Sequence, residues 1–201
     1  PPVITSSPTS YHRFFYNCEL YNQPLGWSAA ATTNVTNFSR MFEGCLDFNR
    51  NLGSTFVTSN ATNLSRMFYN TQDFDNGSSN SILSWNTSNV TDFSYMFSQI
   101  STSSFQRAIL SSGAWSFFSA TDTNSMFLGL VDQSFNNGGQ NIVLNFGTTG
   151  RSINLSNMFV AQTSINAISI TITFPVAAST INTDSMFMNC SYDGAELDLI
   201  D

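Results

Sequence analysis

The sequence predicts an α/β repeat: one continuous solenoid of six to seven units, each a short helix or turn plus a short parallel β-strand. Three observations carry the prediction. A Met-Phe pair recurs at Met41-Phe42, Met67-Phe68, Met96-Phe97, Met126-Phe127, Met158-Phe159 and Met186-Phe187, with a divergent copy at Phe14-Phe15. The spacings are 27, 26, 29, 30, 32 and 28 residues. A second aromatic column keeps step with it, at Trp27, Phe56, Trp85, Trp115, Phe146 and Phe174. Third, the segments ahead of these aromatics read as strands. A period of this length marks units that bury apolar surface only by stacking on their neighbours.

Each part of the unit has a local reason. Four positions before the Met stands Asn37, Asn63, Asp92, Asp122, Asn154 or Asn182, and two positions before it Ser39, Ser65, Ser94, Asn124, Ser156 or Asp184. Asn or Asp with Ser just ahead of an apolar turn is an N-cap signature, so Met-Phe-x-x-Cys reads as a helix of a turn or two. Three segments, 81–85 (SILSW), 141–146 (NIVLNF) and 168–174 (ISITITF), read as strands, the last alternating at period two. Clusters such as DNGSSN and NNGGQN are loops. The Met, Phe and Trp columns form the predicted core, in which Met fills gaps against aromatic rings.

The chain has 201 residues, divided into a Pro/Ser/Thr-rich arm or linker over residues 1–10 and a single repeat domain over 11–201. Only 9% of residues are charged, against about 25% in an ordinary soluble domain. Asn, Ser and Thr, more than a third of the chain, fill the gap. The net charge of -7 repels phosphate backbones, and the six basic residues are scattered along the sequence, which argues against nucleic-acid binding. No apolar run reaches the roughly 18 to 20 residues of a membrane span. The opening PPVITSSPTS, without Met, fits a processed or excised chain.

At this point the residues resemble a family. NVTNFSRMF, followed by Cys45 and Phe48, and WNTSNVTDFSYMF are similar to the repeats of BspA-like leucine-rich-repeat surface proteins, especially the mycoplasma-type surface repeat. The likeness covers about residues 11–190 and is strongest over 34–97, with Phe93 where that family usually has Met. It implies a leucine-rich-repeat-like solenoid and a role in attachment, recognition or surface coating.

Candidate sites are few. His12 is the only histidine, and no nucleophile elbow, phosphate loop or zinc spacing occurs. Asp73 and Asp75 read as a solvated loop pair, so no enzyme, cofactor or metal is expected. The tail with Asp193, Glu196, Asp198 and Asp201 lacks the spacing of a calcium loop and reads as a solvated acidic end. Cys18, Cys45 and Cys190 share a column and are expected as three buried thiols, with a Cys18–Cys45 bridge as the alternative. Nine N-x-Ser/Thr sequons occur. Asn37, Asn63 and Asn154 read as caps, leaving Asn34, Asn60, Asn76, Asn86, Asn89 and Asn189 as candidate glycan acceptors, with Asn76 and Asn86 in the most loop-like contexts.

Two functions follow. One is a non-enzymatic extracellular or cell-surface module for adhesion or recognition of protein or glycan partners. The other is a subunit that assembles with its own copies into a filament or surface layer. Exposed aromatics clustered on one face (among Tyr11, Tyr16, Tyr21, Tyr69 and Tyr95) favour the first. Apolar surface at the ends of the stack favours the second.

Overall fold

A computed structural model describes residues 4, 7–100, 115–129, 135–136, 142–147, 150–160, 165–166, 169–174, 180–190 and 196–200. Within it the Met-Phe segments lie directly on one another. A run of parallel backbone bridges links Ser10, Asn37, Asn63, Asp92, Asp122 and Asn154, each to the next. Strand β3, Ile153–Asn154, continues the run by pairing with β6, Ile181–Asn182.

The hydrogen bonds explain why so short a motif stacks. In the second repeat the N–H groups of Phe38, Arg40, Phe42 and Gly44 donate to the carbonyls of Asn63, Ser65, Met67 and Tyr69 in the third. The residues between them turn inward, with Met41, Glu43 and Cys45 donating to the carbonyls of Phe38, Arg40 and Phe42. The same alternation recurs from Tyr11 to Phe159. Nearly every backbone donor in the motif is thereby satisfied without a helix or a continuous strand.

The expected helix over Met-Phe-x-x-Cys is therefore replaced by consecutive turns. The reason lies in the presumed caps. Asn37 Oδ1 accepts from the backbone N–H and hydroxyl of Ser39, at 2.9 and 2.6 Å, and Asn63, Asp92 and Asn154 hold Ser65, Ser94 and Ser156 in the same way. These are Asx turns reaching two residues ahead. Each turn then places a left-handed residue third, the position that favours Gly or Asn.

Among the described residues, strands begin at Phe135. Strand β2, Ile142–Asn145, pairs in parallel with β5, Ser169–Thr173, and β5 with β7, Glu196–Ile200. Two short strands, β1 (Phe135–Asn136) and β4 (Ile165–Asn166), form a separate parallel pair. The predicted strand over 81–85 is instead a 3-10 segment, Asn80–Ser84. Ser79 starts it by accepting from the Ser81 N–H, and Ile82 faces the core. Of the acidic tail, Glu196 and Asp198 lie in β7, paired with Ser169 and Thr171, while Asp193 and Asp201 lie outside the described residues. The predicted arm ends within the repeats, since Thr9 accepts from the Thr36 N–H, Ser10 bridges Asn37, and Ile4 packs on the core.

The core is a set of ring columns. Phe15, Phe42, Phe68, Phe97, Phe127, Phe159 and Phe187 stack in sequence, with centroids 5.2–6.0 Å apart and planes within 13°. Met41, Met67, Met96, Met126 and Met158 are fully buried beside them, and Met186 nearly so. Phe56, Trp85, Trp115, Phe146 and Phe174 are also buried. Trp27 is half-buried and stacks on Tyr11 at 4.8 Å. Tyr21, Phe48 and Phe74 form a third column.

Candidate interaction surfaces

The left-handed positions form two columns, and they are filled differently. Three residues after the Met stand Asn17, Gly44, Asn70, Gln99, Gly129 and Asn189, all with φ between +53° and +73°. All but one are Gly or Asn, the residues that adopt this conformation at least cost. One residue before the Met stand Arg13, Arg40, Arg66, Tyr95, Ser125, Asn157 and Ser185, with φ between +53° and +58°. Here the first four repeats carry large side chains in a conformation that penalises them.

These side chains make a row on the turn face. The Arg13 guanidinium lies over Tyr16 at 5.0 Å, and that of Arg66 lies over both Tyr69 (5.2 Å) and Tyr95 (4.4 Å). Arg40 Nη1 is 3.7 Å from Glu43 Oε1. Glu43 is 7% exposed, and its Oε2 is buried without a hydrogen-bond partner. Tyr69 and Tyr95 meet edge-on at 6.1 Å. Cations scattered in sequence are thus gathered in space. Read against the repeat period, the 27- and 26-residue spacings of Arg13, Arg40 and Arg66 contain this column; read as a simple charge distribution, they do not. By contrast, Arg151 is a structural cation, donating to the carbonyls of Ala120, Phe117 and Phe146.

The first repeat has exposed apolar surface: Phe14 (42%), Tyr16 (38%) and Leu20 (84%), and Met188 in the last is 48% exposed. Of the five tyrosines singled out from sequence, Tyr11 is buried, its hydroxyl donating to the Ala31 carbonyl at 2.9 Å, and Tyr21 is core. Tyr16, Tyr69 and Tyr95 belong to the arginine row. A shallow groove of about 250 Å³ lies between Trp27 and Phe56, floored by Leu25 and Leu52.

The cysteines differ from one another. All three are free thiols, so no Cys18–Cys45 bridge forms. Contrary to the expectation of three buried thiols, Cys190 is half-buried and Cys18 is exposed, with no earlier repeat covering Cys18 among the described residues. Cys45 Sγ donates to the Phe15 carbonyl and Cys190 Sγ to that of Phe159, in the preceding repeats. Thr71 Oγ1 makes the same bond to the Phe42 carbonyl at 2.8 Å. Burial pushes the Cys45 thiol up to about 12.

Asn76 is corrected as a glycan acceptor. It is fully buried, its Nδ2 donates to the Ser79 carbonyl and Ser81 hydroxyl, and its Oδ1 accepts from the Leu52 N–H. A sugar on that nitrogen would break the turn. Asn34, Asn60, Asn86, Asn89 and Asn189 are exposed, but Asn60 and Asn89 use Nδ2 to hold the carbonyls of Thr33 and Ser59. His12 Nδ1 meets Ser39 Oγ at 2.7 Å, and the Ser39 hydroxyl donates to Asn37. Asp73 is exposed and Asp75 half-buried, on either side of buried Phe74. Among the described residues no group of three His, Cys, Asp or Glu side chains is placed to hold a metal, and no helix is long and apolar enough to cross a membrane.

Stacked turns, an arginine–tyrosine row and an apolar first repeat are the features of a repeat protein. The chain belongs to the family described as Mycoplasma protein of unknown function, DUF285, whose model matches residues 4–98 and again 54–172. The overlapping matches follow from the repeat, since a model of several units fits the chain in more than one register. No curated protein and no solved structure matches the chain.

Proposed function

We propose that the chain is a non-enzymatic, leucine-rich-repeat-like solenoid of the BspA-like surface class, working outside the cell as a recognition or attachment module. The observation that carries this reading is the arginine–tyrosine row. Where only the backbone matters, the left-handed position takes Gly or Asn; in this row it keeps Arg, Arg, Arg and Tyr at a conformational cost, which points to side chains retained for contact. The test is a screen of the immobilised chain against glycan and extracellular-protein arrays, alongside the variant carrying R13Q, R40Q and R66Q. Ligands that the variant loses support the reading. No ligand at all, or ligands indifferent to the substitutions, sinks it.

A second reading, a self-assembling subunit, is favoured by the two end repeats. Phe14, Tyr16 and Leu20 are exposed on the first. Met188 is exposed in the repeat around Met186. Negative-stain electron microscopy over a range of concentrations tests it: filaments support assembly, and single particles throughout exclude it. Asn34 and Asn86 are the proposed glycan acceptors, checked by intact mass before and after enzymatic removal of N-linked sugar from native material.

A further inference from the structure

We propose that the row formed by Arg13, Arg40 and Arg66 binds a linear acidic polysaccharide, each guanidinium engaging one anionic group along the sugar chain. The inference rests on the recognition reading and names its ligand class. Backbone bonds fix the spacing. The Arg13 N–H donates to Ser39 and the Arg40 N–H to Ser65, at 3.1 and 2.9 Å, so the three arginines rise by one strand separation per repeat, about 4.8 Å. A sugar residue advances a linear chain by a comparable step, and long, flexible arginine side chains reach anionic groups that turn from one side of the polymer to the other.

The side-chain environment fits the same ligand. Guanidiniums stacked on Tyr16, Tyr69 and Tyr95 use their faces on the protein and leave N–H edges for carboxylate or sulfate. Tyr16, at 38% exposure, adds apolar surface beside the row against which a sugar ring can pack. Glu43 offsets one of the three charges, so the row carries a modest positive charge in a chain of net charge -7. That balance suits a sparsely charged polymer. Duplex DNA, with a charge every ~1.7 Å, meets repulsion from the acidic remainder.

The experiment measures binding of the intact chain to four fluorescent probes: polygalacturonate (carboxylated), dextran sulfate (sulfated), neutral dextran and duplex DNA. At least one acidic polysaccharide binds and neutral dextran does not. Each of R13Q, R40Q and R66Q weakens binding about tenfold. The affinity falls with salt at a log–log slope of about −2 to −3, as three ion contacts require. E43Q removes the offsetting carboxylate and tightens binding, an outcome that a folding defect does not mimic. Gln is tolerated in this backbone conformation, as Gln99 shows. The proposal is overturned if no acidic polysaccharide binds, if dextran binds as well, if DNA binds more tightly than both polysaccharides, or if the arginine variants bind unchanged. If the acidic probes fail while array ligands still depend on the three arginines, the polysaccharide is wrong and the recognition reading stands. If both fail, both fall.

Discussion

Replacing Phe68 with Ala removes the third ring of the seven-ring column. Phe68 is fully buried, with Phe42 at 5.7 Å and Phe97 at 5.8 Å on either side, Phe74 at 4.0 Å and Trp85 at 6.4 Å. Truncating a buried Phe costs about 3–5 kcal/mol, and stacked pairs add ~0.5–1.5 kcal/mol beyond burial. The expected loss is about 5 kcal/mol, a large part of the ~5–15 kcal/mol available to a domain. Phe187, half-buried in the last repeat and stacked on Phe159 at 5.4 Å, gives the contrast: its truncation should cost about 2 kcal/mol. Urea unfolding followed by circular dichroism measures both. With a slope of ~2 kcal/mol/M, F68A lowers the midpoint by about 2.5 M and F187A by about 1 M. Equal effects, or a loss under about 2 kcal/mol for F68A, would show that the columned rings are not the common core.

Further outcomes follow from the same geometry. Gly44 has φ +73° and a Cβ there would meet the Asn17 side chain, so G44A should destabilise by about 1–2 kcal/mol, whereas exposed Gln99 at φ +61° should gain about 0.5–1 kcal/mol as Q99G; paired urea melts check both. Burial raises the Asp122 carboxyl above its usual range and the neighbouring Asp92 charge adds to this, against opposing hydrogen bonds from the Asn124 backbone and Asn154. The folded state therefore favours protonated Asp122, whose contribution is full below the ordinary carboxylate pKa and is lost as pH rises through the raised one. D122N, which gives Asp122 the Asn found at 37, 63, 154 and 182, should be more stable than the native chain at pH 7 and show no gain near pH 3; a stability loss at pH 7 contradicts the assignment. Thiol labelling with a chromogenic disulfide should modify Cys18 at once in the native chain and Cys45 only on unfolding.

How far the sequence reached is clear from particular residues. The anchor, the ring columns and the parallel stacking were legible because burial imposes one residue type at one period, and Phe42, Phe68 and Phe97 answer to the same neighbours. The local conformation was not. Asn followed two positions later by Ser serves a helix cap and an Asx turn alike, and nothing local separates them; the choice is made by the neighbouring repeat, which accepts every second N–H. The strand expected over 81–85 went astray for a similar reason: a short apolar run fits a strand or a 3-10 turn, and the Ser79 cap decided. The ELDLI alternation of β7 was readable and was hidden by its acidic residues. The arginine row needed only the repeat period applied to charge. Its backbone conformation had no sequence signal, since Arg at a left-handed position looks like Arg anywhere.

The central claim is that successive copies of the motif stack in register, so that one column holds Arg13, Ser125, Asn157 and Ser185. Spin-label distances test it most directly, in a chain with its native cysteines replaced (Cys45 by Thr, the others by Ser) and labels at position 13 paired with 125, 157 or 185. At about 4.8 Å per repeat the account predicts backbone separations of about 19, 24 and 29 Å, rising by one equal step each time. Distances that level off, or fall in any other order, would contradict the stack and with it the arginine row.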